Sequence, residues 1–168
     1  WSLCDLGDLD TDGINDIAIG SPWANLRGSN PTGLTQVFSG ATGDEIHRWE
    51  GQVESGHFGN SISNAKDIDG DGIDDLLVGA KWESPSGDLS GSAYIWSGAN
   101  GTLLKRIDGG KEQDQLGCSV AGVGDLNGDG LNEVLIGAMG KDPGGQESAG
   151  TALVFSLNPF LHPSDSTL

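Results

Sequence analysis

Basic residues are scarce in this chain. Its 168 residues hold eight Lys and Arg against 25 Asp and Glu, a formal net charge of −17. A phosphate backbone is bound by clustered Lys and Arg, so nucleic acid is excluded as a natural partner. Long apolar runs are missing too. Nothing approaches the roughly 18 residues of a membrane-spanning helix, and no leader-like stretch stands at the start. Cysteine occurs twice, too rarely for a disulfide framework. Catalytic patterns are also absent: there is no Gly-x-Ser-x-Gly elbow, no His-Glu-x-x-His pair and no phosphate loop. The three histidines, His47, His57 and His162, fall at unrelated places. A surface role is the expectation for His47. The chain reads as a binding or structural module and not as an enzyme.

What the chain has in abundance is glycine and acid. Three acidic nonapeptides begin at Asp8, Asp67 and Asp125, 59 and 58 residues apart. The first carries Asp8, Asp10, Asp12 and Asp16, the second Asp67, Asp69, Asp71 and Asp75, the third Asp125, Asn127, Asp129 and Glu133. Oxygen side chains thus stand at loop positions 1, 3, 5 and 9, with Gly at position 6. Carboxylates this close repel, by about 1 kcal/mol per contact pair in water and several times that near a protein surface. A chain that accepts this cost three times expects a cation. Hard oxygen donors around a sharp Gly turn suit Ca²⁺, about three ions in all. The backbone carbonyl of position 7 (Ile14, Ile73, Leu131) is a candidate further ligand. Three Ca²⁺ would bring the net charge to about −11.

An EF-hand begins the same way, but it needs a Glu at position 12 and flanking helices. Position 12 here is Ile19, Val78 and Ile136. Each loop is followed by a short apolar run closed by Gly, such as Leu76-Leu77-Val78-Gly79. Length, β-branching and the bounding glycine predict a buried strand. The acidic loop therefore joins two strands.

The rest of the sequence repeats in step with the loops. Phe58-Gly59 precedes the second loop and Leu116-Gly117 the third. After each apolar run and a variable loop come Gly33 to Gly40, Gly91 to Gly98, and Gly150 to Ser156. The first two lead through tight turns into Glu45–Trp49 and Leu103–Ile107. Four short strands in some 58 residues are the content of one propeller blade. The predicted fold is all-β: four-stranded antiparallel β-propeller blades, about three repeats in an incomplete ring. These units resemble FG-GAP repeats, as in the N-terminal propeller of integrin α subunits and in many secreted bacterial proteins. The pieces that carry the resemblance are Phe58-Gly59 and Leu116-Gly117, Gly20-Ser21-Pro22, Gly79-Ala80-Lys81 and Gly137-Ala138-Met139, with the acidic loops between them. Departures are Leu116 in place of Phe, a Pro in the first unit alone, and Glu133 closing the third loop.

The repeats place blade 1 at residues 1–51, blade 2 at 52–109 and blade 3 at 110–156, followed by a Pro-containing tail at 157–168. Blade 1 begins after its Phe-Gly, and blade 3 lacks its last strand. Missing blades are expected from further sequence or from other copies of the chain. The sole Met is Met139, so Trp1 is no translation start. Cys4 and Cys118 fall on the first strands of blades 1 and 3, too far apart for the roughly 7 Å that a disulfide needs, so they are expected as small buried free residues, with an intermolecular link as the alternative. Trp49 and Trp96 fall on core positions. Trp23 and Trp82 align in the loop after the apolar run, either packed under it or offered as a ligand platform. The resemblance implies a secreted or cell-surface module with a structural, adhesive or assembly role through protein contacts. An accessory module of a secreted enzyme and a lectin-like glycan binder remain open beside it.

Overall fold

The computed structural model describes residues 1–25, 28, 30–145 and 149–157. Among the described residues, eleven strands form three separate antiparallel sheets. The first holds β1 (Ser2–Gly7), β2 (Asp16–Ser21), β3 (Leu34–Phe38) and β4 (Glu45–Glu50), in that order. The second holds β5 (Ser61–Lys66), β6 (Asp75–Ala80), β7 (Ser92–Trp96) and β8 (Leu103–Asp108). The third holds β9 (Leu116–Gly124), β10 (Glu133–Ala138) and β11 (Thr151–Ser156), with no fourth strand among the described residues. These are propeller blades that do not close into a ring. The tail residues Phe160 and Leu161 lie outside the described residues.

Each sheet is a meander, in which strands consecutive in sequence are antiparallel neighbours. A recurrent irregularity marks the end of every first strand. Gly7, Lys66 and Gly124 all take left-handed φ (81°, 65° and 68°), and the register slips beside each of them. This extra residue turns the chain into the acidic loop, as a bulge does. Loop position 4 is left-handed as well. Gly70 and Gly128 adopt it easily, whereas Thr11 holds φ 62°, an uncommon conformation for a β-branched residue.

Blades pack face to face through two apolar clusters. Leu6, Leu9, Ala18, Val37 and Trp49 of blade 1 meet Ile62, Leu76 and Val78 of blade 2. Ala65, Ile68, Leu77, Ala93 and Ile95 of blade 2 meet Val134 and Ile136 of blade 3. The unbroken apolar run of β6 follows from this: Leu76 and Val78 face one neighbour, Leu77 the other, and all six residues of the strand are buried. Backbones also come close. A Cβ on Gly20 would lie 2.3 Å from the Gly59 carbonyl oxygen, and one on Gly79 would lie 2.1 Å from that of Gly117. The Gly near the end of β2 and of β6 therefore seats a Gly at the start of the next blade. Ser2 Oγ donates to Gly59 O (3.0 Å) and Ser61 Oγ to Gly117 O (2.9 Å), repeating the same seam.

Trp49 is buried and Trp96 half-buried, their rings 5.6 Å apart. The surface role expected for His47 is corrected: it is half-buried, with Nε2 2.6 Å from the Gly98 carbonyl in blade 2. Trp49 Nε1 donates to the Gly101 carbonyl of the same turn at 3.0 Å. Both side chains project from β4 over the neighbouring blade, which is why strand position alone did not reveal the contact. Cys4 and Cys118 are half-buried free thiols. Burial, with the charge of Asp5 beside it, pushes the Cys4 thiol up to about 11, so it stays protonated at neutral pH.

Candidate metal centres

The β1–β2, β5–β6 and β9–β10 connections are the three acidic loops. Their backbones are folded by their own carboxylates. The position-1 side chain caps the turn: Asp8 accepts the amides of Asp12 (3.0 Å) and Gly13 (2.8 Å), and Asp67 those of Gly70 (2.7 Å), Asp71 (3.2 Å) and Gly72 (2.9 Å). Asp125 does the same for Gly128, Asp129 and Gly130. Position 5 holds position 7: Asp12, Asp71 and Asp129 accept the amides of Ile14, Ile73 and Leu131 at 2.8–2.9 Å. Asp10 and Asp69 each take the position-5 amide at 3.2 Å. Such Asx turns leave the remaining lone pairs aimed inward.

Position 9 has a second task. Asp16 and Asp75 are buried. One oxygen of each accepts the amide of position 2, Leu9 or Ile68, at 2.7 Å. The other accepts the amide of the hairpin glycine, Gly40 or Gly98, at 3.0 Å. This carboxylate thus ties the loop to the β3–β4 or β7–β8 turn. Burial pushes the Asp75 carboxyl up to about 7, against the lowering effect of the Ile68 and Gly98 amides. Asp69 is also raised, by burial first and then by the charge of Asp71. A nearby cation would offset both.

In loop 1, oxygens of Asp8, Asp10 and Asp16 lie within 4.8 Å of one another, and in loop 2 those of Asp67, Asp69 and Asp71 do. Two oxygens on opposite sides of a Ca²⁺ ion are about 4.6–5.2 Å apart, given bonds of about 2.3–2.6 Å. The donor set fits: all oxygen, mostly charged, on a turn with room for backbone carbonyls. Soft metals are disfavoured, since no thiolate or imidazole joins it. Among the described residues the third loop gathers no comparable carboxylate trio. Asn127 replaces one carboxylate, and its Nδ2 donates to Glu133 Oε1 at 3.2 Å. Glu133 Oε2 accepts the Leu126 amide at 2.8 Å, the position-2 bond of the other loops.

Position 8 carries a function that the sequence reading missed. Asn15 Nδ2 donates to both Asp5 oxygens at 3.0 Å. In blade 2 the partners are exchanged, Asn64 Nδ2 donating to Asp74 Oδ2 at 2.6 Å, with Lys66 Nζ at 3.1 Å. In blade 3 the equivalent strand residue is Gly122, and Asn132 Nδ2 donates instead to the Asp67 carbonyl at 2.8 Å. That bond links loop 3 to loop 2 across the seam. The swapped Asp–Asn pair was visible in the repeats as complementary letters at two positions.

The β2–β3 and β6–β7 loops leave the opposite end of each blade. There Trp23 and Trp82 come together, their ring centroids 6.1 Å apart. His57, given no role by the sequence, stacks on Trp82 at 3.8 Å and meets Trp23 edge-on at 4.1 Å. The two aligned tryptophans are therefore not equivalent. Trp82 is half-buried, while Trp23 is 61% exposed.

Comparison with known proteins matches this architecture. The family model "FG-GAP repeat" matches residues 58–96 and 119–155. The chain carries FG-GAP repeats. It is similar to integrin alpha-5 of Xenopus laevis, 29% identical over 95% of this chain and 16% of that protein. Integrin alpha-PS2 of Drosophila melanogaster is 32% identical over 94% of this chain and 12% of its own length. Human integrin alpha-11 is 31% identical over 80% of this chain and 12% of its own length. The chain thus spans only about an eighth to a sixth of these relatives. Both matched FG-GAP segments include an acidic loop and the strands around it.

Proposed function

We propose that this chain is a calcium-stiffened group of FG-GAP blades from an extracellular or cell-surface protein. Its role is adhesion, protein interaction or assembly, without catalysis. The carboxylate clusters carry the reading. Loops 1 and 2 each gather three acidic side chains within 4.8 Å, on a turn already pre-shaped by Asx bonds. The ligands are Asp8, Asp10, Asp12 and Asp16; Asp67, Asp69, Asp71 and Asp75; and Asp125, Asn127, Asp129 and Glu133. The carbonyls of Ile14, Ile73 and Leu131 complete them. The third site is the weakest, because it has one carboxylate fewer and Glu133 is engaged by Asn127.

Two substitutions separate ion binding from blade packing. Asp71→Ala should weaken Ca²⁺ binding in a calorimetric titration by at least about tenfold, the least that losing even an outer partner usually costs. Asp74→Ala should leave the affinity nearly unchanged. It should lower stability to urea by about 1 kcal/mol through the lost bonds to Asn64 and Lys66. Equal loss of affinity in both variants would remove position 5 from the site.

The same repeats favour further blades as the partners, from the rest of a longer polypeptide or from other copies. Val154 is 52% exposed, while its equivalents Val37 and Ile95 are buried between blades. Leu126 is 63% exposed, while Leu9 and Ile68 are buried. On the other side, Ile17 is 49% exposed, while Leu76 and Val134 are buried. Gly137 supports the same reading. Among the described residues the nearest atoms to a Cβ there are Cys118 Sγ at 3.2 Å and Ser119 at 3.5 Å, where blades 2 and 3 insert a backbone carbonyl beside Gly20 and Gly79. Covering such faces is worth about 25 cal/mol per Å². The isolated chain should therefore associate at micromolar concentration, and Val154→Asp should reduce the sedimenting mass. A monomer unaffected by that change would contradict self-association. The tail at 157–168, expected to reach a neighbour as a borrowed strand, lies outside the described residues from 158 onward.

A further inference from the structure

The geometry points to a carbohydrate-binding site at the end of blades 1 and 2 opposite the acidic loops, with Trp23 as the stacking platform for a neutral pyranose ring. The site is assembled from three separate segments. Trp23 comes from the β2–β3 loop, His57 from the β4–β5 connection and Trp82 from the β6–β7 loop. The Trp82 amide donates to Gly56 O at 3.2 Å, fixing the second segment on the third. The Ser55 amide donates to Pro31 O at 2.8 Å, fixing it on the first. His57 is a positioning residue: only 3% exposed, it fills the space between the two indoles and sets their edge-on arrangement.

The repeats supply an internal control. In blade 3 the residue equivalent to Trp23 and Trp82 is Gly140, and the residue equivalent to His57 is Gln115. Gln115 has the same left-handed backbone as His57 (φ 51° and 57°), so the conformation belongs to the scaffold. The aromatic pile does not, since blade 3 folds without it. Its most exposed member, Trp23, is an indole. An indole left 61% in water on a loop tip is a costly way to pack a blade and a common way to present a flat apolar surface with a polar edge.

The surroundings select the ligand class. Lys81 Nζ lies 5.8 Å from the Trp82 ring centroid, so an ammonium already sits near that face and disfavours a cationic ligand there. A chain of net charge −17 disfavours an anionic one. His57 Nε2 is buried with no hydrogen-bond partner. Asn30 Nδ2 donates to Glu54 Oε2 at 3.1 Å on the two loops joined by the Ser55–Pro31 bond, so the loops that carry Trp23 and His57 also carry an amide and a carboxylate. A flat apolar face on loops that carry planar polar side chains suits the C–H face and the hydroxyls of a neutral sugar.

The test is a glycan array followed by titration of soluble neutral monosaccharides, at up to about 1 mM, the weak end of specific recognition. The array is run with Ca²⁺ present so that the blades are intact. Binding of at least one neutral pyranose is expected. Trp23→Ala should reduce it at least about tenfold, equivalent to about 1.4 kcal/mol, and Trp23→Tyr should retain most of it. Because Trp23 is exposed, Trp23→Ala should leave the calcium-dependent melting shift unchanged, which separates lost binding from lost fold. A clean array would overturn the site. So would sugar binding indifferent to Trp23→Ala, or capture of a lysine-rich probe peptide instead of any sugar.

Discussion

Removing Ca²⁺ with EGTA is expected to lower the melting temperature of this chain by about 10–20 °C. The estimate follows from loops 1 and 2 alone. A ligand at 100 times its dissociation constant that binds only the folded state contributes about 2.7 kcal/mol per site. Two sites contribute about 5 kcal/mol, a large part of the 5–15 kcal/mol that ordinary domains possess. For a chain of this size each kcal/mol moves the midpoint by about 2–4 °C. The direction is secured by electrostatics as well. Without a cation, Asp8, Asp10 and Asp16, or Asp67, Asp69 and Asp71, hold acidic oxygens within 4.8 Å of one another. Asp16 and Asp75 also anchor Gly40 and Gly98, so slackening a loop loosens the outer hairpin of the same blade. Differential scanning fluorimetry with and without chelator measures the effect, and readdition of Ca²⁺ should restore the higher midpoint. An unchanged midpoint would leave the loops as acidic turns and nothing more.

Gly79→Ala should be strongly damaging. The added methyl would lie 2.1 Å from the Gly117 carbonyl oxygen and 2.4 Å from Ser61 Oγ. The serine hydroxyl can rotate, but the carbonyl belongs to β9 of the next blade and moves only if the seam opens. Overpacking of this kind costs about 1–3 kcal/mol and more when backbone must shift. The loss expected here is about 3 kcal/mol, a fall of roughly 6–12 °C in melting temperature. Gly137→Ala is the matched control. It makes the same change at the same blade position, where only Cys118 and Ser119 approach, at 3.2 Å and beyond. Its effect should stay within about 1 kcal/mol, as for a substitution away from packed features. If the two variants melt alike, close approach of blades is not what the glycine serves.

Much of this architecture was legible in the residues. The acidic loops announced themselves through spacing, and the apolar runs after them through β-branching and a closing glycine. β2, β6 and β10 fall on those runs. The continuous burial of Leu76, Leu77 and Val78 was legible as a strand, but not as a strand shared between two seams, because periodicity does not say what lies on each face. Contacts that cross from blade to blade were the hidden part. His47 and Trp49 reach the turn at Gly98 and Gly101, and Asn132 reaches the Asp67 carbonyl, over separations of 51 to 65 residues. No local pattern encodes such a pairing. His57 escaped notice for a related reason: its significance lies in Trp23 and Trp82, brought to it by different loops. The inward hydrogen bonds of Asp16 and Asp75 were hidden too, since position 9 looks like any other ligand until the hairpin glycine is placed beside it.

Calorimetric titration of the chelator-stripped chain with Ca²⁺ tests the central claim most directly. Extracellular modules bind at about 0.1–1 mM or tighter, and this range is accessible to the method. The account predicts two sites of similar strength, from the loops beginning at Asp8 and Asp67, and a weaker third from the loop beginning at Asp125. Asp71→Ala should abolish one of the two stronger sites and leave the other in place. A chain that takes up no Ca²⁺ in this range, or that binds equally well after Asp71→Ala, would contradict it.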